Sequence, residues 1–375
     1  MERISPLKIL ITTEQYPPIL SGVATVVSEL ANALSSQGHS ITIATKKISG
    51  REPVAISNIG IAEFDIQGSF GSFYRGETKA YIDFVLSSDA DVIINECTQT
   101  WNTDLLLPYL DQIHAVKVLH SHGFSLLAFK SRNPWANFKA KFYYGLLTKY
   151  LKKYDHVLIL SNSASELPFF TRQQFKNYDI LPNGVPEHLI ATSPKMIGDK
   201  PYLLSISNYY PMKNQEFVLK AYYQSGTSAK LIFIGAAQLH GYLAQLKILK
   251  QSLDKQYGWR DVEFLYEVSR KETEDYLKAS ALFLHGSKLE AFPIVILEAM
   301  ATGTPFVSTD VGNVKSLKGG KIIHNESEMA QAITNLLKDQ DQYVRYSQLG
   351  INEVSMQYNW KAVAHKFVSI LGLTS

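Results

Sequence analysis

LHGSKLEAFPIVILEAMATG, residues 284–303, decides how the rest of this chain is read. It carries two glutamates, Glu290 and Glu298, eight positions apart with Pro293 between them. The apolar run ALFL leading into it, residues 281–284, has the character of a buried strand. Pro293 suits the first turn of a helix, where its missing N–H is not needed. Gly303 and Pro305 close that helix. Glu290 is thereby placed on the loop leaving a strand, and Glu298 on the second turn of the helix that follows. Open α/β sheets bind ligands at the carboxyl edge of their strands, so both carboxylates are candidates for that edge. Spacing alone also fits two unrelated surface glutamates, and the surroundings have to decide.

Outward from this element the alternation of strand and helix recurs. Upstream, residues 202–207, 230–235 and 262–266 read as strands, with helices over 213–224, 239–256 and 270–279 between and after them. Downstream, residues 305–309 read as another strand. The first half repeats the pattern. KILITT, residues 8–13, is a strand, followed by the loop EQYPPILSG and a helix with Val23, Val26, Val27, Leu30 and Leu34 at helical spacing. Gly38 ends that helix, and strands follow at 41–45, 92–95, 116–120 and 157–160. ILPNGV, residues 180–185, closes the half on an Asn-Gly turn. Residues 186–201 hold Pro186, Pro194 and Pro201 and read as a linker. The expectation is an α/β chain of two Rossmann-like domains facing each other across a cleft, residues 1–188 and 189–358. The amphipathic segment within 359–375 (Val363, Phe367, Ile370) is expected to pack back on the first domain.

With 375 residues the chain is long enough for two cores. A formal charge of +3 gives no general affinity for nucleic acid. Cys97 is the single cysteine, which rules out an internal disulfide and suits a reducing compartment. No signal peptide and no apolar run of about 18 residues is visible, so the expected location is cytoplasmic, including the inner face of the plasma membrane.

Three further stretches carry chemistry. Ser21-Gly22 precedes the first helix without a G-x-G-x-x-G fingerprint, which disfavours a nicotinamide dehydrogenase. Gly22 still lets an anionic ligand approach a helix N-terminus, or serves only the turn. His120-Ser121-His122-Gly123 lies just past a strand end; His122 is a candidate catalytic group, although a single histidine is as readily structural. At i and i+2 on a strand the two histidines would point to opposite faces and make poor joint metal ligands. Asp89-Ala90-Asp91 resembles a metal-binding pair but precedes a strand, and is read as structural; no metal is expected. Residues 125–153, Ser125 through Lys153, hold seven basic residues and no acid, interleaved with aromatics. That composition suits anionic headgroups, or a solvated basic helix with core aromatics.

Together, EQYPPILSG, VLHSHG, ILPNGV, SNYYPMKNQ and above all EAFPIVILEAMATGTPFVSTDVGN resemble glycosyltransferase family 4, whose members are retaining enzymes of the GT-B fold. The resemblance covers nearly the whole chain, and the E-x7-E motif with its EAMA-x-G-x-P continuation is its most specific part. It implies an acceptor domain first and a nucleotide-sugar donor domain second, with the nucleotide sugar a substrate and no cofactor. Residue by residue, it implies that Glu298 binds ribose hydroxyls and Glu290 hydroxyls of the transferred sugar. Phe292, Ile294 and Val295 offer backbone N–H groups to sugar and diphosphate, Lys213 binds the diphosphate, Gly22 admits it, and His122 lies near the reacting carbon. Leu265 and its neighbour Tyr266 would meet the base through their backbone. Asn208 stands where the family usually has an arginine, which removes a charge from the leaving-group site. Ser21 stands where a glycine is frequent. The implied partners are a nucleotide-diphosphate sugar and a saccharide or lipid-linked acceptor, with peripheral membrane contact through residues 125–153 and no nucleic acid. A non-catalytic subunit working with a partner enzyme is the main alternative, motivated by Asn208; an epimerase or phosphorylase of the same fold fits the EAMA motif less well.

Overall fold

The computed structural model describes residues 5–19, 21–51, 58–124, 134–239 and 241–372. They fall into two units, residues 1–183 with 360–375, and residues 184–359.

In the first unit the strands are β1 (Lys8–Thr12), β2 (Ser40–Lys46), β3 (Ile59–Phe64), β4 (Ile66–Gln67), β5 (Arg75–Gly76), β6 (Val92–Glu96), β7 (Val116–His120), β8 (His156–Ile159) and β9 (Asp179–Ile180). Seven of them form one parallel sheet in the order β3-β2-β1-β6-β7-β8-β9, and β4 pairs with β5 as a separate antiparallel ribbon. The run of Val and Ile in β1 and β6 is continuous rather than alternating because both faces of a parallel sheet are covered; β6 is buried along its whole length. The core on one side is aromatic, with Tyr81, Trp101, Phe124, Tyr143, Tyr144, Phe169 and Phe170 packed on Leu10, Ile93 and Leu119. Helix Trp360–Ile370 belongs to this unit and packs on helix Gly22–Ser36.

The second unit continues with β10 (Tyr202–Ile206), β11 (Lys230–Gly235), β12 (Val262–Tyr266), β13 (Leu282–His285), β14 (Phe306–Thr309) and β15 (Gly320–Ile323). Their order is β12-β11-β10-β13-β14-β15, all parallel. Renumbered within the unit this is 3-2-1-4-5-6, the doubly wound order whose direction of winding reverses between its first and fourth strands, here β10 and β13. In the first unit the same reversal lies between β1 and β6.

Two readings of the sequence change here. Residues 186–201 are irregular but belong to the second unit: Leu189 is buried, Ala191 N–H donates to Ala301 O at 2.8 Å, and Lys195 N–H donates to Ser347 Oγ at 2.9 Å. Its prolines read as an interdomain linker, and its backbone is tied to the second unit at several points. The helix expected from residue 213 begins at Gln215 instead, because Pro211–Lys213 forms a 3-10 turn and Asn214 adopts a left-handed conformation at φ 55°.

Candidate functional site

The loops that follow β10 and β13 meet at the winding reversal of the second unit. Asn214 Nδ2 donates to Gly286 O at 3.0 Å, Lys288 N–H donates to Met212 O at 2.9 Å, and Ser287 Oγ donates to the same carbonyl at 3.3 Å. An added Cβ at Gly286 would lie 2.8 Å from Val218 Cγ2 on the following helix and 3.1 Å from Asn214 O on the facing loop, so a side chain there would press on both. The clasp brings Lys213 Nζ to 2.7 Å from Glu290 Oε1. His285, the last residue of β13, places Nε2 3.3 Å from the same oxygen and Nδ1 3.1 Å from Ser308 Oγ. Burial alone would raise the Glu290 carboxyl, but the hydrogen bond from His285 and the Lys213 ammonium outweigh it and hold the group down to about 2. From below, Gly312 sits so close that a Cβ would lie 2.7 Å from Ala291 O, which fixes the turn carrying Glu290.

Helix Ile294–Ala301 starts immediately after this turn. Pro293 is its N-cap rather than a first-turn residue, with ψ 99° and no capping side chain. Ile294 and Val295 are therefore its first two residues, half-buried, and their N–H groups have no carbonyl within the helix to bond. Partial positive charge at this end favours an anion. Phe292 is buried, its ring 6.1 Å from that of Tyr358, and anchors the approach. Glu298 lies on the second turn, 4 % exposed, and Arg270 Nη2 is 2.6 Å from its Oε1. Burial raises the Glu298 carboxyl, with Arg270 opposing.

Asn208 has a different task. Its Oδ1 accepts from Ala236 N–H at 3.2 Å and Ala237 N–H at 3.1 Å, tying the loop after β10 to the loop after β11. Leu265 lies on β12, and its carbonyl accepts from the Tyr209 hydroxyl at 2.7 Å. Tyr209 in turn stacks on Tyr266, ring centres 6.5 Å apart. The second unit thus gathers Lys213, Glu290 and the helix start at Ile294, with Glu298 farther along that helix, and leaves Asn208 committed to backbone.

In the first unit, Ser21 is the N-cap of helix Gly22–Ser36, and its Oγ accepts from Ala24 N–H at 3.0 Å. This gives the serine a reason of its own. At Gly22 an added Cβ would meet nothing within 4 Å, and φ is not positive, so neither turn nor packing within the unit demands a glycine.

The two histidines of the first unit do not diverge. β7 ends at His120, and His122 has left the strand with φ 52°, so both rings turn to one side, 4.0 Å apart. Glu96, at the end of β6, receives them: its Oε2 is 2.5 Å from His122 Nε2 and 3.0 Å from His120 Nδ1. Burial works to raise Glu96, yet the two histidines hold it down to about 2; the His122 ring is shifted down, first by its burial and then by His120, against Glu96. Glu166 supports the loop from behind, accepting from Ser121 Oγ and, at 3.0 Å, from Gly123 N–H. The alternation rule failed because it holds only while both residues stay in the strand. Glu96, His120 and His122 offer three ligand atoms within 4.8 Å of one another. Within the group His122 Nε2 is hydrogen-bonded to Glu96 Oε2, while His120 faces the same oxygen as an ion-pair neighbour. Asp89 and Asp91 are at the opposite edge of the sheet, where Asp91 Oδ2 accepts from Lys8 N–H at 2.7 Å and Asp89 pairs with Lys8 Nζ at 2.5 Å.

Of the basic-aromatic stretch, residues 125–133, with Phe129, Lys130 and Arg132, lie outside the described residues. The remainder is helix Pro134–Leu151. Its tyrosines divide from its other aromatics: Tyr143 and Tyr144 are core, whereas Trp135, Phe138 and Phe142 are 73 %, 62 % and 61 % exposed beside exposed Lys139 and Lys141. Among the described residues no helix is long and apolar enough to cross a membrane.

His285, Arg270 and Glu96 were not singled out from the sequence. Each acts through a partner on another element, and only a strand-end position hinted at His285 and Glu96. Five of the seven described non-glycine residues with positive φ, Cys97, Gln99, His122, Asn214 and Glu267, lie in loops that follow sheet strands, while Phe73 and Gln174 lie elsewhere.

Comparison with known proteins agrees with this architecture. Residues 20–188 match the family model described as "Glycosyltransferase Family 4", and residues 191–353 the one described as "Glycosyl transferases group 1". Alpha-monoglucosyldiacylglycerol synthase of Streptococcus pneumoniae is 26 % identical over 366 residues, covering 88 % of this chain and 78 % of that protein. Sucrose-phosphate synthase from Thermosynechococcus elongatus superposes with a TM-score of 0.78 at 17 % identity, over 98 % of both chains. Anabaena HepE, solved in complex with UDP, gives a TM-score of 0.72 at 17 % identity, over 98 % of this chain and 100 % of that one. With both halves matched in order and both sheets wound alike, the chain belongs to glycosyltransferase family 4 and has the GT-B type of fold.

Proposed function

We propose that the protein transfers a hexose or related sugar from a nucleotide diphosphate donor to an acceptor hydroxyl with retention of anomeric configuration. The observation that carries this reading is the Lys213–Glu290–His285 group set directly before the N-terminus of helix Ile294–Ala301. A leaving nucleoside diphosphate gains negative charge as the glycosidic bond breaks. Lys213 and the helix start supply positive potential at that point, where preorganised charge lowers a barrier most. Glu290 is ionised and holds sugar hydroxyls once Lys213 turns to phosphate. Glu298 accepts from the ribose. Leu265 and Tyr266, beside Tyr209, supply the edge for the base. Within the first unit, Gly22 at the start of helix Gly22–Ser36 leaves its backbone open to an anion, with nothing within 4 Å of an added Cβ.

Among the described residues of the second unit no side chain is placed as a nucleophile, and Glu290 and Glu298 have separate partners rather than forming an acid-base pair. We read the displacement as occurring on one face of the sugar, assisted by the departing phosphate and without a resident metal or cofactor. The positive charge a metal would bring is supplied in this reading by Lys213 and the helix start.

The acceptor in this reading is a lipid-linked or membrane-surface saccharide of polysaccharide, O-antigen or capsule assembly. Its support is the exposed row of Trp135, Phe138 and Phe142 among lysines, together with a relative whose name is that of a glucosyldiacylglycerol synthase. Aromatic rings and lysines together suit the headgroup region of an anionic bilayer. Peripheral attachment at a cytoplasmic membrane face follows from that. The test has two arms. A thermal-shift screen of UDP-, GDP-, ADP- and dTDP-sugars should show one donor class raising the melting temperature, since a ligand bound only by the native state stabilises it. Flotation with anionic vesicles at low salt should carry the protein upward. No stabilising donor defeats the transferase reading, and no flotation defeats the membrane acceptor alone.

A further inference from the structure

Glu298 is the more deeply buried of the two motif glutamates, and its surroundings are specific. Ser269 caps helix Arg270–Ala279 through a full capping box: its Oγ accepts from Glu272 N–H at 3.2 Å, while Glu272 Oε2 accepts from Ser269 N–H at 3.1 Å. Arg270 is therefore the first residue of a well-anchored helix. Its guanidinium is held from two sides, Nε on Glu274 Oε1 at 2.8 Å and Nη2 on Glu298 Oε1 at 2.6 Å. Glu274 is itself bonded through Oε2 to His188 Nε2 at 2.9 Å. The result is a chain, His188–Glu274–Arg270–Glu298, running from an exposed histidine to a buried carboxylate. Glu298 Oε1 is committed to the guanidinium, and Oε2 takes no hydrogen bond from a described residue.

We propose that Arg270 is a positioning residue for the nucleotide: it keeps the Glu298 carboxylate ionised and turned so that Oε2 alone is presented to a ribose hydroxyl. This rests on the reading of Glu298 as the ribose-binding group. A carboxyl this buried tends to take up a proton, and a protonated carboxyl is a poorer acceptor for a hydroxyl donor. Guanidinium is suited to the task because it keeps its charge at every physiological pH and its planar fork fixes orientation. Glu274 fixes that fork's other edge. The charged and titratable groups facing Glu298 are Arg270 and Glu274 from their shared helix and His188 from the turn Glu187–Leu189. Groups on other neighbouring elements face elsewhere: His285 of β13 turns to Glu290 and Ser308, and Glu353 of helix Gln340–Gln357 accepts from Lys318 N–H at 2.8 Å.

The experiment is calorimetric titration of the intact chain with UDP, GDP and ADP, following the tightest of the three from about pH 5 to about pH 8, where carboxyl groups raised by burial titrate. Arg270→Gln is expected to weaken that nucleotide about tenfold near neutrality, the scale of one charge-assisted hydrogen bond. Its loss of affinity toward acid should begin about one pH unit higher than in the wild type, because Glu298 without its guanidinium protonates more readily. Arg270→Lys should recover most of the pH profile, and Glu274→Gln, which removes a negative charge that raises Glu298, should move the acid limb the opposite way from Arg270→Gln by a smaller amount. Arg270→Gln with wild-type affinity, or weakened with an unshifted pH profile, overturns the proposal. Wild-type protein that binds none of the three nucleotides, or Glu298→Gln that binds as wild type, overturns the ribose reading and this inference with it.

Discussion

The second unit's Lys213–Glu290–His285 group and the first unit's Glu96–His120–His122 group are built on the same plan and tuned differently. Each lies at the carboxyl edge of a parallel sheet, and in each a carboxylate held down to about 2 is matched to basic side chains. In the second unit the carboxylate comes from a loop, and its lysine partner keeps 29 % of its side chain exposed. In the first unit the carboxylate is the last residue of a strand, its own side chain is fully buried, and His122 is 7 % exposed. The lysine–glutamate pair is half-buried, so its lysine still reaches solvent. The glutamate–histidine group has no such access, and breaking a buried pair strands a charge. One group is open to solvent on its lysine side; the other is a buried mounting for two rings.

The largest test of that contrast is Lys213→Ala. Turnover should fall about 100- to 1,000-fold, the range for removing one group aimed at developing charge, with little change in acceptor KM and in melting temperature. Steady-state kinetics with the donor found by the screen measures it, and unchanged turnover would remove Lys213 from the leaving-group site. Glu96→Gln should behave in the opposite way. Its first effect is on the fold of the loop, a loss of about 3 kcal/mol by denaturant titration, as for a buried pair with one partner removed. The His122 ring, losing the carboxylate that favours its charged form, should titrate still lower in histidine NMR spectra.

Asn208→Arg comes next. From the sequence alone this change restores a missing charge; in the structure it removes the acceptor for Ala236 and Ala237 N–H. The expected result is a loss of about 1–2 kcal/mol with no gain in rate, whereas Asn208→Asp keeps the acceptor and the stability. A faster Asn208→Arg enzyme would show that the position lacks charge after all. The smallest effect is in acid. Glu290 has its folded-state pKa depressed, so its contribution is present above the unfolded value of about 4.3 and is lost as pH falls toward 2. Melting temperature in that window should drop less steeply in Glu290→Gln than in the wild type.

Much of the fold was legible because parallel strands buried on both faces leave short apolar runs, and the turns between them carry Gly, Pro and Asn. The edge strand Ile59–Phe64 and the ribbon of β4 and β5 escaped, being half-exposed or two residues long. Glu290 and Glu298 were legible because a strand, a loop and a helix follow one another within 20 residues of sequence. What was not legible depends on contacts between distant segments. Arg270 meets Glu298 across 28 positions, and His122 meets Glu96 across 26. His122 was also hidden by a backbone event, its left-handed φ, that no side-chain periodicity records. Asn208 was read by comparison with an arginine, although its role is set by two amides on another loop.

The clasp between the loops after β10 and β13 has a consequence for anyone rebuilding this protein. Met212 O, Asn214 Nδ2 and Gly286 bind the two segments into a single module, so neither can be grafted into another scaffold, lengthened or randomised by itself. A transplant of residues 207–214 without 286–293 would carry Lys213 into a host whose opposite loop lacks the matching carbonyl and glycine. Variation in the two loops must therefore be coordinated, and a library that diversifies them together will retain far more folded members than two libraries that vary them separately.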